Sequence, residues 1–170
     1  MEVQYFKDYS PNLGRDMECK VYGHAGRPVL WIPCQDGRFF DFENYHMADV
    51  WSPWIESGQV MVFAIDTIDQ ETWSNVYGDA RWRIERHEAW IRYITDEMVP
   101  FMRTMVNERN GWEGYPDIIV TGCSLGATHA ATLYFRRPDL FDGLLALSGI
   151  YSPEYGFGTY MDELVYENSP

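Results

Sequence analysis

Positive charge is what this chain has least of: 13 Lys and Arg stand against 26 Asp and Glu, a formal net charge of −13 and a pI near 4.5. Such a surface repels nucleic acid phosphates and anionic lipid before contact, so neither nucleic acid nor membrane is an expected partner. No apolar run approaches the roughly 20 residues that crossing a bilayer takes. The N-terminus, MEVQYFKDYS, has neither the basic patch nor the apolar stretch of a signal peptide. Cysteine is scarce: Cys19, Cys34 and Cys123 are widely spaced and odd in number, which excludes a disulfide framework and a zinc-ligand pattern. These absences together imply the cytoplasm. Walker and dinucleotide motifs are missing, and His87-Glu88 lacks the second histidine of a zinc-protease helix. No metal and no cofactor is therefore expected. Repeats, low-complexity stretches and linkers are absent too, so residues 1–170 read as a single domain.

What is present is core material, with 46% hydrophobic and 16% aromatic residues. Short β-rich runs alternate with longer helical ones. Val3 to Tyr9 and Met17 to Tyr22 read as strands joined by a turn at Ser10-Pro11-Asn12-Leu13-Gly14. Pro28 to Ile32 and Val60 to Ile65 are wholly apolar, the pattern of strands buried on both faces of a parallel sheet. A helix is predicted over 42–57, bent at Pro53 and stopped by Gly58. The longest helix starts near Asp79 as N-cap. Its apolar face carries Ile84, His87, Ile91, Ile94 and Met98, and its polar face Arg83, Glu85, Arg86, Arg92 and Asp96. Pro100 is expected to kink it, and Asn110-Gly111 to close it. Asp117 to Thr121 reads as a strand, Leu125 to Arg136 as a helix and Gly143 to Leu147 as a strand. Repeated strand-helix-strand units of this kind imply an α/β fold: a mostly parallel sheet with helices on both faces.

Chemistry concentrates in Ile118-Ile119-Val120-Thr121-Gly122-Cys123-Ser124-Leu125-Gly126-Ala127, which contains G-x-S-x-G. As a bare pattern it is weak, with about 0.05 matches expected by chance in a chain this long. Its setting adds weight, because an apolar strand feeds in and a helix rich in small residues, with Ala127, Ala130 and Ala131, leads out. A turn this tight strains the serine backbone and demands small residues two before and two after it, the places of Gly122 and Gly126. Ser124 then stands at the carboxyl end of the sheet, beside the unpaired N–H groups of a helix N-terminus.

With these residues the chain resembles the α/β-hydrolase fold, in the esterase group related to esterase D and S-formylglutathione hydrolase. Gly122-Cys123-Ser124-Leu125-Gly126 looks like that group's nucleophile elbow. Val29-Leu30-Trp31-Ile32-Pro33-Cys34-Gln35-Asp36-Gly37 looks like its third strand and the loop supplying half the oxyanion hole. Pro138 to Gly143 and Leu147-Ser148-Gly149 resemble the path through its sixth strand. The resemblance implies Ser124 as nucleophile, and the backbone N–H groups of Leu125 and Gln35 as donors to a substrate oxyanion. The implied function is a carboxylic ester hydrolase working through a Ser124 acyl-enzyme on a small-molecule ester.

One part of that pattern is missing. In this fold the triad runs Ser, acid, His along the chain. The only histidine after Ser124 is His129, five residues on, about 140° round the helix and pointing away from the serine. His24, His46 and His87 precede the nucleophile, and all four read as surface or satisfied helix-face residues. Glu154, Asp162, Glu163 and Glu167 read as a solvated acidic tail, and no seventh strand follows. The chain is therefore expected to match the first two-thirds of a hydrolase, with the triad's histidine and acid absent. Its sixth strand becomes a sheet edge open to pairing with another copy. The alternative is a non-catalytic binding or assembly protein on a truncated scaffold. Aromatics at Phe39, Phe40, Phe42, Tyr45, Trp51 and Trp54 read as core, or as the lining of an acyl or alcohol pocket. Asp66, Asp69 and Glu71 read as a solubilising loop.

Overall fold

The wholly apolar segments lie where burial on both faces is greatest. In the computed structural model, which describes all 170 residues, Arg27–Ile32 (β3) runs parallel to Val60–Ile65 (β4) on one side and to Ile118–Cys123 (β5) on the other. Val29, Leu30, Ile32 and every residue from Met61 to Ile65 are fully buried. Val3–Ser10 (β1) and Arg15–Tyr22 (β2) form an antiparallel hairpin, closed by Gly14 N–H donating to Ser10 O at 2.8 Å. β2 pairs antiparallel with β4, and Phe141–Leu147 (β6) pairs parallel with β5. The strand order is β1-β2-β4-β3-β5-β6, so β6 is an edge.

Side chains alternating along the central strands divide the core in two. Leu30, Ile32, Met61, Phe63 and Ile65 pack under Ala80–Arg92 (α3), Val99–Asn110 (α4) and Leu125–Arg136 (α5). Val29, Trp31, Val62 and Ala64 face the other way, against Asp41–Asn44 (α1) and Met47–Glu56 (α2). Helices therefore cover both faces of a mostly parallel sheet, as the sequence implied. Two short helices, Glu154–Phe157 (α6) and Glu163–Glu167 (α7), follow β6.

Three expectations need correction. The helix over 42–57 is two helices, broken at His46, whose φ of +57° ends α1. Pro53 lies inside α2; the Asp49 carbonyl that it leaves without an amide partner accepts instead from Ser52 Oγ at 2.8 Å. Asp79 does cap α3, accepting from Trp82 N–H at 2.8 Å, and the stripe from Ile84 to Met98 is buried. Arg83, assigned to the polar face, is buried as well. The 66–79 loop and α6 cover it, and its guanidinium donates to the carbonyls of Thr72 (2.7 Å), Trp73 (3.3 Å) and Gly156 (2.5 Å). Pro100 stands two residues into α4, inside a helix that runs without a break from Ala80 to Asn110. The irregular winding is a π-helical stretch, Tyr93–Met98, immediately before α4. Gly111, at φ +65°, closes α4 as expected.

Candidate active site

β5 runs to Cys123 and α5 begins at Leu125, leaving Ser124 alone to turn the chain. Its backbone sits at φ +57°, ψ −127°, a conformation that costs a residue with a Cβ on the order of 1–3 kcal/mol. Two things hold it there. Ser124 N–H donates to Leu147 O of β6 at 2.9 Å. The flanking glycines let three backbones meet: a Cβ on Gly126 would stand 2.6 Å from Ile32 O, and one on Gly122 would stand 2.9 Å from Ala127 N. The elbow is therefore pressed against β3 with no room for a methyl group. Ser124 is half-buried, and its Oγ makes no hydrogen bond within the chain. The Leu125 N–H, first of α5, donates to no protein acceptor.

Across from the elbow, the 34–37 loop leaves the carboxyl end of β3. Gly37 N–H donates to Cys34 O at 2.9 Å, and Asp36 is left-handed at φ +58°. Asp36 N–H donates to Asp69 Oδ2 at 3.2 Å, and Asp36 Oδ1 accepts from Ser74 Oγ at 2.7 Å. The Gln35 amide is held on both sides. Its Nε2 donates to Ser74 Oγ at 2.7 Å, and its Oε1 accepts from the Tyr155 hydroxyl. The Asp36 and Gly37 amides are thus committed, while the Gln35 N–H, like that of Leu125, has no acceptor in the chain. Cys34 and Cys123 lie beside each other at the ends of the adjacent strands, in a chain whose three cysteines are all free thiols. Burial, and then its neighbour Cys123, pushes the Cys34 thiol up to about 11.

No histidine reaches Ser124. His24 and His46 are exposed, and His46 Nδ1 lies 3.2 Å from Asp49. His129 is 1% exposed, its Nε2 2.9 Å from Asp69 Oδ1, inside a box of Trp73, Trp90 and His87. His87 is equally buried; burial, and then the neighbouring His129, holds it well below the ordinary imidazole value. Of the acidic residues after β6, Glu154, Glu163 and Glu167 are exposed, but Asp162 is the N-cap of α7, accepting from Val165 N–H at 2.9 Å and from the Tyr160 hydroxyl at 2.7 Å.

The carboxylates after β4 do something other than solubilise a loop. Asp66 and Asp69 are buried. Asp66 accepts from Phe39 N–H at 2.8 Å and from Arg38 Nε at 2.9 Å, while Asp69 holds Asp36 and His129. Desolvation raises Asp66 against the pull of Arg38 and the Phe39 amide. No cluster of His, Cys, Asp or Glu could hold a metal ion. Phe39 and Phe42 are core, whereas Tyr45 and Trp54 are exposed. Trp51 and Trp54 line an apolar groove of about 380 Å³ with Val50, Val60 and Leu145 of β6. Asp69, Ser74 and Tyr155, which brace the 34–37 loop, were not singled out for that work. Only the position of Asp66 and Asp69 at the carboxyl end of a strand next to β3 pointed toward it.

A sheet in this order, with a strained serine between strand and helix at its carboxyl end, defines an α/β-hydrolase type of fold. Residues 10–168 match the family described as "Putative esterase", and the chain belongs to that family of esterase-type enzymes. No match was found among curated protein sequences. Among solved structures the chain is similar to a ferulic acid esterase (17% identity, TM-score 0.70), covering 99% of this chain and 68% of that one. It is equally similar to an S-formylglutathione hydrolase from Agrobacterium tumefaciens, at 17% identity and TM-score 0.70, covering 98% and 68%. The fluorophosphonate-binding serine hydrolase FphF of Staphylococcus aureus aligns at 11% identity and TM-score 0.61, covering 96% and 63%. These likenesses speak for the fold, and the chain spans about two-thirds of the length of those structures.

Proposed function

We propose that this chain carries the nucleophile and oxyanion hole of a serine hydrolase acting on small carboxylic esters. The observation that carries the reading is the backbone of Ser124, held at φ +57° by two glycine contacts, with its Oγ free. Nothing in packing alone calls for a strained, unbonded serine at that point. In the reaction, Ser124 Oγ attacks the ester carbonyl and its proton passes to a histidine. The Leu125 and Gln35 N–H groups, both without acceptors, hold the oxyanion that forms. The alcohol leaves with the proton, and water then releases the acid from the acyl-enzyme. The histidine and its carboxylate partner come from outside these 170 residues, since all four histidines lie elsewhere. The free thiols fit a reducing cytoplasm, and the unpaired edge of β6, with Leu145 and Leu147 exposed, fits pairing with another copy.

A second reading, a binding or assembly protein on the same scaffold, is favoured by the absence of any histidine at Ser124 Oγ. A fluorophosphonate probe tests whether a base reaches Ser124 in this chain. Labelling read by intact mass that vanishes in Ser124→Ala supports the hydrolase, with a histidine reaching the serine within the assembled chain. A well-folded chain that takes no label leaves the binding scaffold or the nucleophile half of a hydrolase.

A further inference from the structure

The oxyanion hole of the proposed reaction is built from two pieces of chain, the 34–37 loop and the start of α5, that no backbone hydrogen bond joins. One buried side chain links the 34–37 loop to α5, reaching the helix at its fifth residue, His129. Asp69, 2% exposed, accepts from Asp36 N–H through Oδ2 at 3.2 Å, and its Oδ1 lies 2.9 Å from His129 Nε2 of α5. A carboxylate only accepts, so His129 Nε2 carries the proton and donates. We propose that Asp69 is a positioning residue that sets the Gln35 amide relative to the Leu125 amide, gripping the residue next to Gln35 with one oxygen and the helix that begins at Leu125 with the other.

Three features support this over a role in packing alone. The amide that Asp69 grips belongs to a left-handed, non-glycine residue, a conformation that needs an outside hold. The loop carrying Asp69 is itself tied down, with Thr72 N–H and Ser74 N–H donating to Asp69 O at 3.0 and 2.9 Å, and Arg83 donating to Thr72 O at 2.7 Å. Ser74, from the same loop, makes a second hold on Asp36 and on the Gln35 side chain. Finally, His129 is enclosed by Trp73 and Trp90, so its ring cannot turn away from the carboxylate without opening the core.

The inference rests on the hydrolase reading for its catalytic consequence but not for the link itself, and the test separates the two. Amide hydrogen exchange of the 170-residue chain reads the link, and the rate of fluorophosphonate labelling at Ser124 reads the consequence. Asp36 N–H is expected to exchange at least ~10-fold faster in Asp69→Ala than in the parent. Asp69→Asn is expected to restore protection, since its carbonyl can accept from Asp36 and its amide can face His129 in the other tautomer. His129→Leu, which frees one carboxylate oxygen, is expected to speed Asp36 exchange by a smaller factor of ~3. In labelling, Asp69→Ala is expected to slow the inactivation step by ~10- to 100-fold at unchanged probe affinity, with Asp69→Asn recovering most of it. Asp36 exchange unchanged in a folded Asp69→Ala overturns the link. Should that variant not fold, unchanged exchange in His129→Leu overturns it from the helix side. Parent-rate labelling of Asp69→Ala overturns the positioning role. If exchange responds while no chain takes label, the parent included, the link stands, and no base reaches Ser124 in this chain, which removes the catalytic consequence here.

Discussion

The two loops that meet at the carboxyl end of the sheet are held in opposite ways. The elbow at Ser124 is fixed by missing atoms: Gly122 and Gly126 let β5, α5 and β3 approach until no methyl fits between them. The 34–37 loop is fixed by added atoms, the side chains of Asp69, Ser74 and Tyr155 reaching in from 33 to 120 residues away. In the proposed hydrolase the two kinds of rigidity divide the work: close backbone contact would set the nucleophile in place, while a donor on an open loop would be held from outside. The two also fail differently. Filling the first creates a collision, and emptying the second leaves buried polar groups without partners.

The largest expected effect comes from filling the elbow. Gly126→Val drives a branched side chain into the carbonyls of Ile32 and Pro33, and a loss of about 3 kcal/mol or more, or no fold at all, is expected in urea denaturation. A variant melting with the parent would remove the tight-contact account. On the other side of the comparison, Arg83→Met strips three carbonyls of their buried donor and loosens the segment that carries Asp69. A loss of about 3 kcal/mol is expected by the same assay.

The brace also carries a pH signature. His87 packs at 4.9 Å, ring to ring, on His129, and is held neutral well below the unfolded value near 6.5. The unfolded chain therefore binds a proton that the folded chain refuses. Stability should be level in this respect above about pH 6.5 and should fall as the pH drops below it, by up to about 1.4 kcal/mol per unit. His87→Leu should flatten that slope in urea midpoints measured between pH 7 and 5; an unchanged slope would assign it to another group. Ser74→Ala removes one donor to Asp36 and one acceptor for Gln35, for a loss of about 1 kcal/mol with elbow contacts untouched. The smallest effect has the opposite sign. Ser124→Gly relieves the backbone at φ +57°, and a gain of about 0.5–1 kcal/mol is expected by thermal unfolding. A destabilised Ser124→Gly would mean that the serine is not strained.

What the sequence disclosed follows the same division. The elbow was legible because its determinants are neighbours: two glycines, a serine, an apolar strand before and small residues after, all within Ile118 to Ala131. The central strands were legible because burial on both faces leaves no polar residue from Val60 to Ile65. The brace was not. Asp66 and Asp69 have the composition of any acidic loop, and only the lateral order β4-β3-β5 brings them beside the residues that follow Ile32. Arg83 was misplaced for a related reason. A helical wheel finds the side turned toward the sheet, but not a loop that later covers the other side. At His46 the chain broke where no proline or glycine announced it.

The wide turn between α3 and α4 has a consequence for how this chain tolerates changes in length. Beyond Ile94 the buried stripe advances in fours, through Met98, Met102 and Val106. In a regular α-helix each step of four overshoots by about 40°, so three steps would swing the stripe through roughly a third of a circle. Winding Tyr93–Met98 more loosely absorbs part of that drift and keeps Met102 and Val106 over the sheet. The turn acts as slack in a rope. Deleting one residue there would let the wide turn close to a regular α-helical one and leave Met102 and Val106 over the sheet, whereas the same deletion inside α4 would rotate everything after it by about 100°.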